Sequence, residues 1–242
     1  MKRFRFLLLP LLAAMSVFLT NCADDDDAAS DAETGDTAVA ATPATDAVAT
    51  AAPANIMIVR HKVKDFAKFK ESYDAHDSLR LASGIHSYVI GRGVDDPNMI
   101  MVATKFDDLE KAKEFSKSDH LKKAMEKAGV TGKPNIVLTT VPFLNTAASD
   151  NLRSMTFLNV KDYDTWKSSF DTSKQSRMDN GLEDRAVGYD VDNKNKVIYV
   201  GTVLDSAKAR AYQKSDGLKQ RLKNSGVEGN PERFWYRVVQ TY

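Results

Sequence analysis

The sequence is poor in the residues that most often advertise chemistry. It has one cysteine, Cys22, in 242 residues, which excludes any intramolecular disulfide and any cysteine-built metal site. It has four histidines, and no cluster of His, Cys and acids has metal-ligand spacing, so neither a metal nor a cofactor is expected. No glycine-rich loop has the form that cradles a phosphate. No apolar run reaches the roughly twenty residues that a permanent membrane-spanning helix needs. Charge is nearly balanced, 34 bases against 33 acids for a net +1, which argues against a nucleic-acid partner.

What is present begins at the N-terminus. Lys2, Arg3 and Arg5 precede an apolar run from Phe6 to Leu19, and Leu19-Thr20-Asn21-Cys22 follows. A basic start and about fourteen apolar residues make an export signal rather than an anchor. The end of the run resembles a bacterial lipobox, although Asn21 stands where a small Gly, Ala or Ser is usual. That resemblance makes 1–22 a lipoprotein signal cut just before an acylated Cys22, which becomes the new N-terminus and would place the chain on the bilayer of the bacterial envelope, at the outer membrane. An ordinary secretory signal beside an incidental cysteine is the alternative. With Cys22 acylated, no thiol nucleophile remains.

Residues 23–54 carry eight acids, no base and no aromatic residue. Such a composition cannot bury enough apolar surface to fold, so it reads as a tether, up to about 100 Å long at roughly 3.3 Å per residue. The run Asp24 to Asp27 resembles surface-export signals of some lipoproteins and is equally a plain solvated spacer. Leader and tether removed, 31 bases face 25 acids, a weak and dispersed excess.

The rest of the chain is a duplication, covering residues 55–145 and 152–242. Val63-Lys64-Asp65-Phe66 lies over Val160-Lys161-Asp162-Tyr163 at a shift of about 97 residues, and the overlay runs without a gap to Val141 and Val238. Arg80 falls on Arg177, Gly84 on Gly181, and Lys117-Ser118-Asp119 on Lys214-Ser215-Asp216; about a third of the paired positions are identical. Each copy reads strand, helix, strand, strand, helix, strand. Ile56 to Val59 and Met155 to Leu158 open the units, and Asp65 and Asp162 cap helices that Gly84 and Gly181 stop. Hairpin turns fall at 95–98 and 192–195. A second helical region starts near Asp108 and Asp205, breaks at Ser118-Asp119 and Ser215-Asp216, and ends at Gly129 and Gly226. The last strands are expected after Pro134 and Pro231. The order βαββαβ is ferredoxin-like. RNA-recognition domains share it, but Met99 to Phe106 lacks their basic-aromatic third-strand pattern.

The third strands, Met99 to Ala103 and Val197 to Val200, are continuously apolar. A sheet with one wet face would alternate, so both faces should be covered. Helices cover one. The sister copy's sheet is the obvious cover for the other, giving an intrachain pseudo-dimer packed sheet to sheet; two independent beads are the alternative.

Both copies resemble the dimeric α+β barrel superfamily, with its antibiotic-biosynthesis-monooxygenase-like and cyclase-like members. Carrying the resemblance are Val63-Lys64-Asp65-Phe66 with Phe69-Lys70, Tyr73-Asp74-Ala75-His76 with Arg80 and Gly84, then Asp95 to Asn98, Ser118 to Leu121, and Ala128-Gly129-Val130. It implies ligand binding between the first helix and the sheet, and leaves the activity open, since the superfamily hosts oxygenases, isomerases and haem-degrading enzymes.

Phe66, Phe69 and Tyr73 form an apolar stripe at helical spacing, matched by Tyr163, Trp166 and Phe170. The same steps carry His76, Arg80 and Arg177 onto that stripe. Either the two arginines pair with nearby carboxylates while their stems cover the helix end, or they clamp an anion at an aromatic-lined pocket. All four histidines, His61, His76, His86 and His120, lie in the first copy, which makes that copy the better catalytic candidate, with His76 or His120 as acid or base. The resemblance also brings haem-degrading members with a haem-ligating histidine, which His76 or His120 could mimic, but nothing in the sequence selects for it. The favoured function is a binding module that holds a small amphipathic or anionic molecule, with Phe69, Arg80, Tyr88 and His120 in the first copy and Trp166, Phe170 and Arg177 in the second. The alternatives are a cofactor-free monooxygenase or isomerase acting through His76 with Tyr73 or Tyr88, and a structural protein with packed clefts.

Overall fold

In the computed structural model, which describes residues 52–148 and 150–242, each repeat forms four strands and two interrupted helices. Cys22, the leader, and all of the tether before residue 52 lie outside the described residues. The first repeat comprises β1 (Ala54–Val63), α1 (Phe66–Ala75), α2 (Asp77–Ala82), β2 (Ile85–Gly93), β3 (Met99–Phe106), α3 (Leu109–Lys117), α4 (Asp119–Lys127) and β4 (Val130–Leu144). The second comprises β5 (Leu152–Val160), α5 (Tyr163–Thr172), α6 (Lys174–Asp179), β6 (Leu182–Asp190), β7 (Asn193–Val203), α7 (Ser206–Lys214), α8 (Asp216–Asn224) and β8 (Val227–Thr241). The caps act as expected. Asp65 Oδ1 accepts from the Lys68 N–H, Asp162 from Thr165, Asp108 from Lys111, and the Ser118 and Ser215 hydroxyls accept from Leu121 and Leu218.

The eight strands close into one antiparallel barrel in the order β1-β3-β2-β8-β5-β7-β6-β4. The two four-stranded sheets face each other across its interior and are also hydrogen-bonded along both edges. One seam pairs Val89 with Thr241 through Gly93 with Tyr236; the other pairs Thr139 with Asp190 through Leu144 with Ala186. Two independent beads are thereby excluded, and closure removes exposed sheet edges. The continuous third strands follow from this. Ile100 and Val102 face the helices with Met57, Val59 and Phe69, whereas Met101 and Ala103 face the interior with Ile58, Met155 and Ile198. All the apolar clusters are built from residues 54–238, so the barrel supplies its own core.

Three features differ from the sequence reading. The first helix of each repeat, expected to run unbroken to Gly84 and Gly181, is interrupted at His76 and Ser173, where the backbone leaves helical geometry. The last strands start at Val130 and Val227, ahead of Pro134 and Pro231. Both prolines sit in bulges: residues 132–134 oppose His61 alone, and 229–231 oppose Leu158 alone. A bulge tolerates the missing proline N–H, and Gly132 and Gly229 supply its positive φ, 71° and 64°. In the second repeat the hairpin turn is Val191-Asp192, and β7 already begins at Asn193, because the polar run 193–196 keeps extended pairing.

The seam between β2 and β8 depends on Gly91, where an added Cβ would lie 2.3 Å from Tyr236 Cδ2. Gly91→Ala is expected to cost about 2 kcal/mol by overpacking, read as a lower midpoint in urea unfolding. An unchanged midpoint would mean that the Tyr236 ring moves aside freely.

Candidate functional site

Each repeat has a cleft between its first helix and the sheet. The first, about 70 Å³, is lined by Phe69, Tyr73 and His76 from α1 and its C-cap, Arg80 from α2, His61 and Thr104 from β1 and β3, and Leu121 and Met125 from α4. The second, about 80 Å³, is lined by Trp166, Phe170, Arg177, Tyr199 and Tyr212 among others. The clefts are alike in size and differ in chemistry.

In the second cleft the arginine is fully engaged. Arg177 Nε and Nη2 donate to Asp184 Oδ1 and Oδ2 at 2.7 and 2.6 Å, Nη1 donates to the Phe170 carbonyl at 2.6 Å, and the guanidinium stacks 3.5 Å from the Phe170 ring centroid. Tyr199 Oη also donates to Asp184, and burial pushes its phenol well above the ordinary range. In the first repeat Ser87 occupies the position of Asp184. Arg80 therefore donates through Nε to Ser87 Oγ at 3.2 Å and through Nη1 to the Tyr73 carbonyl at 2.6 Å. Its carboxylate partner is Asp77, at 3.0 Å, whose side chain is about half exposed. The first guanidinium is thus buried beside a pocket with a solvent-screened counter-charge. Tyr73 stacks under it at 3.7 Å and hydrogen-bonds Ser87 at 2.9 Å.

The distinctive group in the first cleft is His61. It is 4% exposed, and neither ring nitrogen has a hydrogen-bond partner among the described residues. Burial pushes its imidazole down to about 4, so it is neutral at pH 7. Its ring lies 5.1 Å from that of Phe69. Two further buried hydroxyls lining the same cleft, Ser72 Oγ and Thr104 Oγ1, are also without partners among the described residues. No buried side-chain polar atom of the second cleft is in that state. Leaving such atoms unsatisfied costs about 1–3 kcal/mol each unless solvent or a bound molecule engages them. His61 also sits opposite the bulge of β4, where the ladder is locally open. Nearby, α4 has no fully buried residue, so the cover over this cleft is thin.

The sequence-predicted residues divide by location. Phe69, Tyr73, His76 and Arg80 come together in the first cleft, and Trp166, Phe170 and Arg177 in the second. His76 Nδ1 lies 2.6 Å from the Ser72 carbonyl, at the break between α1 and α2. Two placements need correction. His120 is exposed in the first turn of α4, which turns it away from the sheet. Tyr88 lies in the barrel interior, with its hydroxyl 3.0 Å from Arg185 Nη2, because a bulge in β2 between Ser87 and Val89 leaves both Tyr88 and Val89 facing inward while Ser87 takes the cleft side. Missed were His61, Ser72 and Thr104. The overlay held a signal for two of them: His61 pairs with Leu158 and Thr104 with Gly201, so a polar residue stands at a core-facing strand position where the sister copy has none. A haem macrocycle does not fit a cleft of about 70 Å³, so the superfamily's haem chemistry is not carried over.

No model of a known protein family matches the chain, and no curated protein does. Solved structures do match. An anthrone oxidase-like protein covers 78% of this chain and 92% of its own length at TM-score 0.53 and 14% identity. A candidate monooxygenase of Fusobacterium nucleatum subsp. nucleatum covers 78% and 94% at TM-score 0.50 and 15% identity. Identities of that order carry the architecture alone: the chain has the α+β fold of dimeric α+β barrel proteins, with both halves in one polypeptide.

Proposed function

We propose that the protein is an envelope-anchored binding module whose first-repeat cleft holds a small, mostly apolar molecule bearing a polar or anionic group. The observation that carries this reading is the convergence of His61, Ser72 and Thr104, buried and unpartnered among the described residues, on one cleft. The walls are otherwise Phe69, Leu121 and Met125, so the ligand's body is apolar and its polar group meets His61. Arg80, with its exposed counter-ion, favours an anionic group over a cationic one. About 70 Å³ is room for roughly five waters or one compact molecule. Anchoring through acylated Cys22 belongs to the same proposal, and intact-mass analysis of the membrane-extracted protein tests it, since an unmodified Cys22 would remove that part.

His61→Leu copies what the second repeat has at Leu158. It is expected to raise the stability of the unliganded protein by about 1–3 kcal/mol, because it removes two unsatisfied nitrogens from an apolar site. The same change should abolish the thermal shift produced by whichever envelope-extract component native mass spectrometry finds bound. A destabilised variant that still binds would overturn the reading. An enzymatic role in the same cleft has one point in its favour: His61 is unprotonated at pH 7 and has a lone pair free for a substrate proton, although the burial that holds it near 4 makes it a weak base. Recovering the bound molecule chemically altered after incubation would select the enzyme; recovering it intact selects the module.

A further inference from the structure

The barrel interior is a separate cavity of about 380 Å³, within the size range of about 300–1,000 Å³ typical of small-molecule sites. Most of its wall is apolar, including Met101, Met155 and Ile198. Two arginines break that pattern. Arg153 is 7% exposed; its Nη2 donates to the Ala148 carbonyl at 3.0 Å and its Nη1 to the Thr202 hydroxyl. Arg185 Nη2 donates to Tyr88 Oη at 3.0 Å, while its Nη1 is buried with no partner among the described residues. No acidic side chain lines the cavity. The acid whose charge acts on Arg153 is Asp150, which is exposed and already accepts from the Leu152 N–H. Burial and the like charge of Arg185 both lower the basicity of Arg153. Two guanidinium groups in one low-dielectric wall, without a carboxylate, are costly to maintain unless an anion joins them.

The duplication argues that these charges are not needed to close the barrel. In the overlay Arg153 corresponds to Ile56, Arg185 to Tyr88, and the buried Tyr236 to Thr139. The first repeat builds its half of the same wall from uncharged residues. All the positive charge comes from the second repeat, near the start of β5 and β6, beside the segment 145–151 that joins the repeats.

We infer that the barrel interior is a second binding site, distinct from the helix–sheet cleft, for an amphipathic anion whose head group sits on Arg153 and Arg185 and whose apolar tail lies along Met101, Met155 and Ile198. A carboxylate or a phosphate monoester fits the forked donors equally well. Calorimetry on residues 52–242, which hold the whole barrel core, tests it. The probes are decanoate, decyl phosphate, decanol and inorganic phosphate. One decanoate or decyl phosphate per chain should bind about tenfold or more tightly than decanol, and inorganic phosphate should not bind measurably. Arg185→Met should reduce the anionic probes to the level of decanol. His61→Leu should leave them unchanged, which separates this site from the cleft. If Arg185→Met does not fold, Ala103→Phe, which fills the tail region from the opposite sheet, should block binding instead. Equal binding of decanoate and decanol, no binding of either, or loss in His61→Leu alone would overturn the inference.

Discussion

Replacing Asp184 by Asn is expected to destabilise the protein by about 3–5 kcal/mol, the usual consequence of leaving one member of a buried ion pair without its partner. Asp184 and Arg177 are 8% and 5% exposed, and the carboxylate takes two guanidinium bonds and the Tyr199 hydroxyl. An amide in its place turns an N–H₂ toward a cation and removes the only charge that balances it in the pair. For a domain of this size each kcal/mol moves the melting temperature by about 2–4 °C, so a drop of about 10 °C should be seen by calorimetry. Arg177→Met combined with Asp184→Leu should recover most of the loss, because a well-packed apolar pair needs no compensation. Asp77→Asn, its functional counterpart beside Arg80, should cost only about 1 kcal/mol, since Asp77 is half exposed and screened. A drop at Asp184→Asn no larger than at Asp77→Asn would show that solvent reaches the second cleft.

This contrast fits the carboxylate-pairing reading of Arg177 and leaves the anion reading open at Arg80. Residue by residue the repeats have diverged in opposite directions. The second closed its cleft chemistry with Asp184 and placed its spare charge inside the barrel at Arg153 and Arg185. The first kept Ser87 where Asp184 stands and placed polar groups at His61 and Thr104. Covalent duplication permits this, because a homodimer must carry every substitution in both halves.

Much of the fold was legible because it rests on local signals. Asp65, Asp108, Asp162 and Asp205 are caps whose chemistry acts within one turn, and Gly84, Gly129, Gly181 and Gly226 hold positive φ at helix ends. The continuous runs at Met99 and Val197 reported two covered faces, and that was enough to infer the pairing of the sheets. The bulges were not legible. Pro134 and Pro231 are usual strand breakers, and their tolerance depends on a partner strand just over seventy residues away in sequence. The site was half legible for a similar reason. Helical spacing places Phe69, Tyr73, His76 and Arg80 on one face without reference to anything else. His61 looks like any polar residue in a strand until β3, the β4 bulge and α4 have closed around it. Tyr88 was misplaced because a bulge in β2 between Ser87 and Val89 resets which neighbour faces the helices.

The pH dependence of stability should carry the signature of His61. In the unfolded chain its imidazole titrates near 6.5, and in the fold near 4. Above pH 6.5 both states are neutral at this position, and the full contribution to stability is present. Between 6.5 and 4 the unfolded chain binds a proton that the folded protein refuses, so stability falls as the pH falls, by about 3 kcal/mol over the window, and then levels off. Asp74, Asp96, Asp162 and Asp216, whose carboxyls are held below their ordinary value, lose their contributions only as the pH drops further, through their own lowered values. Urea unfolding at pH 7, 5.5 and 4.5 should therefore show a steep loss in the wild type and a much flatter curve in His61→Leu. Parallel curves would mean that His61 is solvated in the folded state. A bound anion accepting a hydrogen bond from His61 would favour the protonated ring, raise its folded-state value toward 6.5 and so shrink the loss of stability below pH 6.5; repeating the series with ligand measures that contact directly.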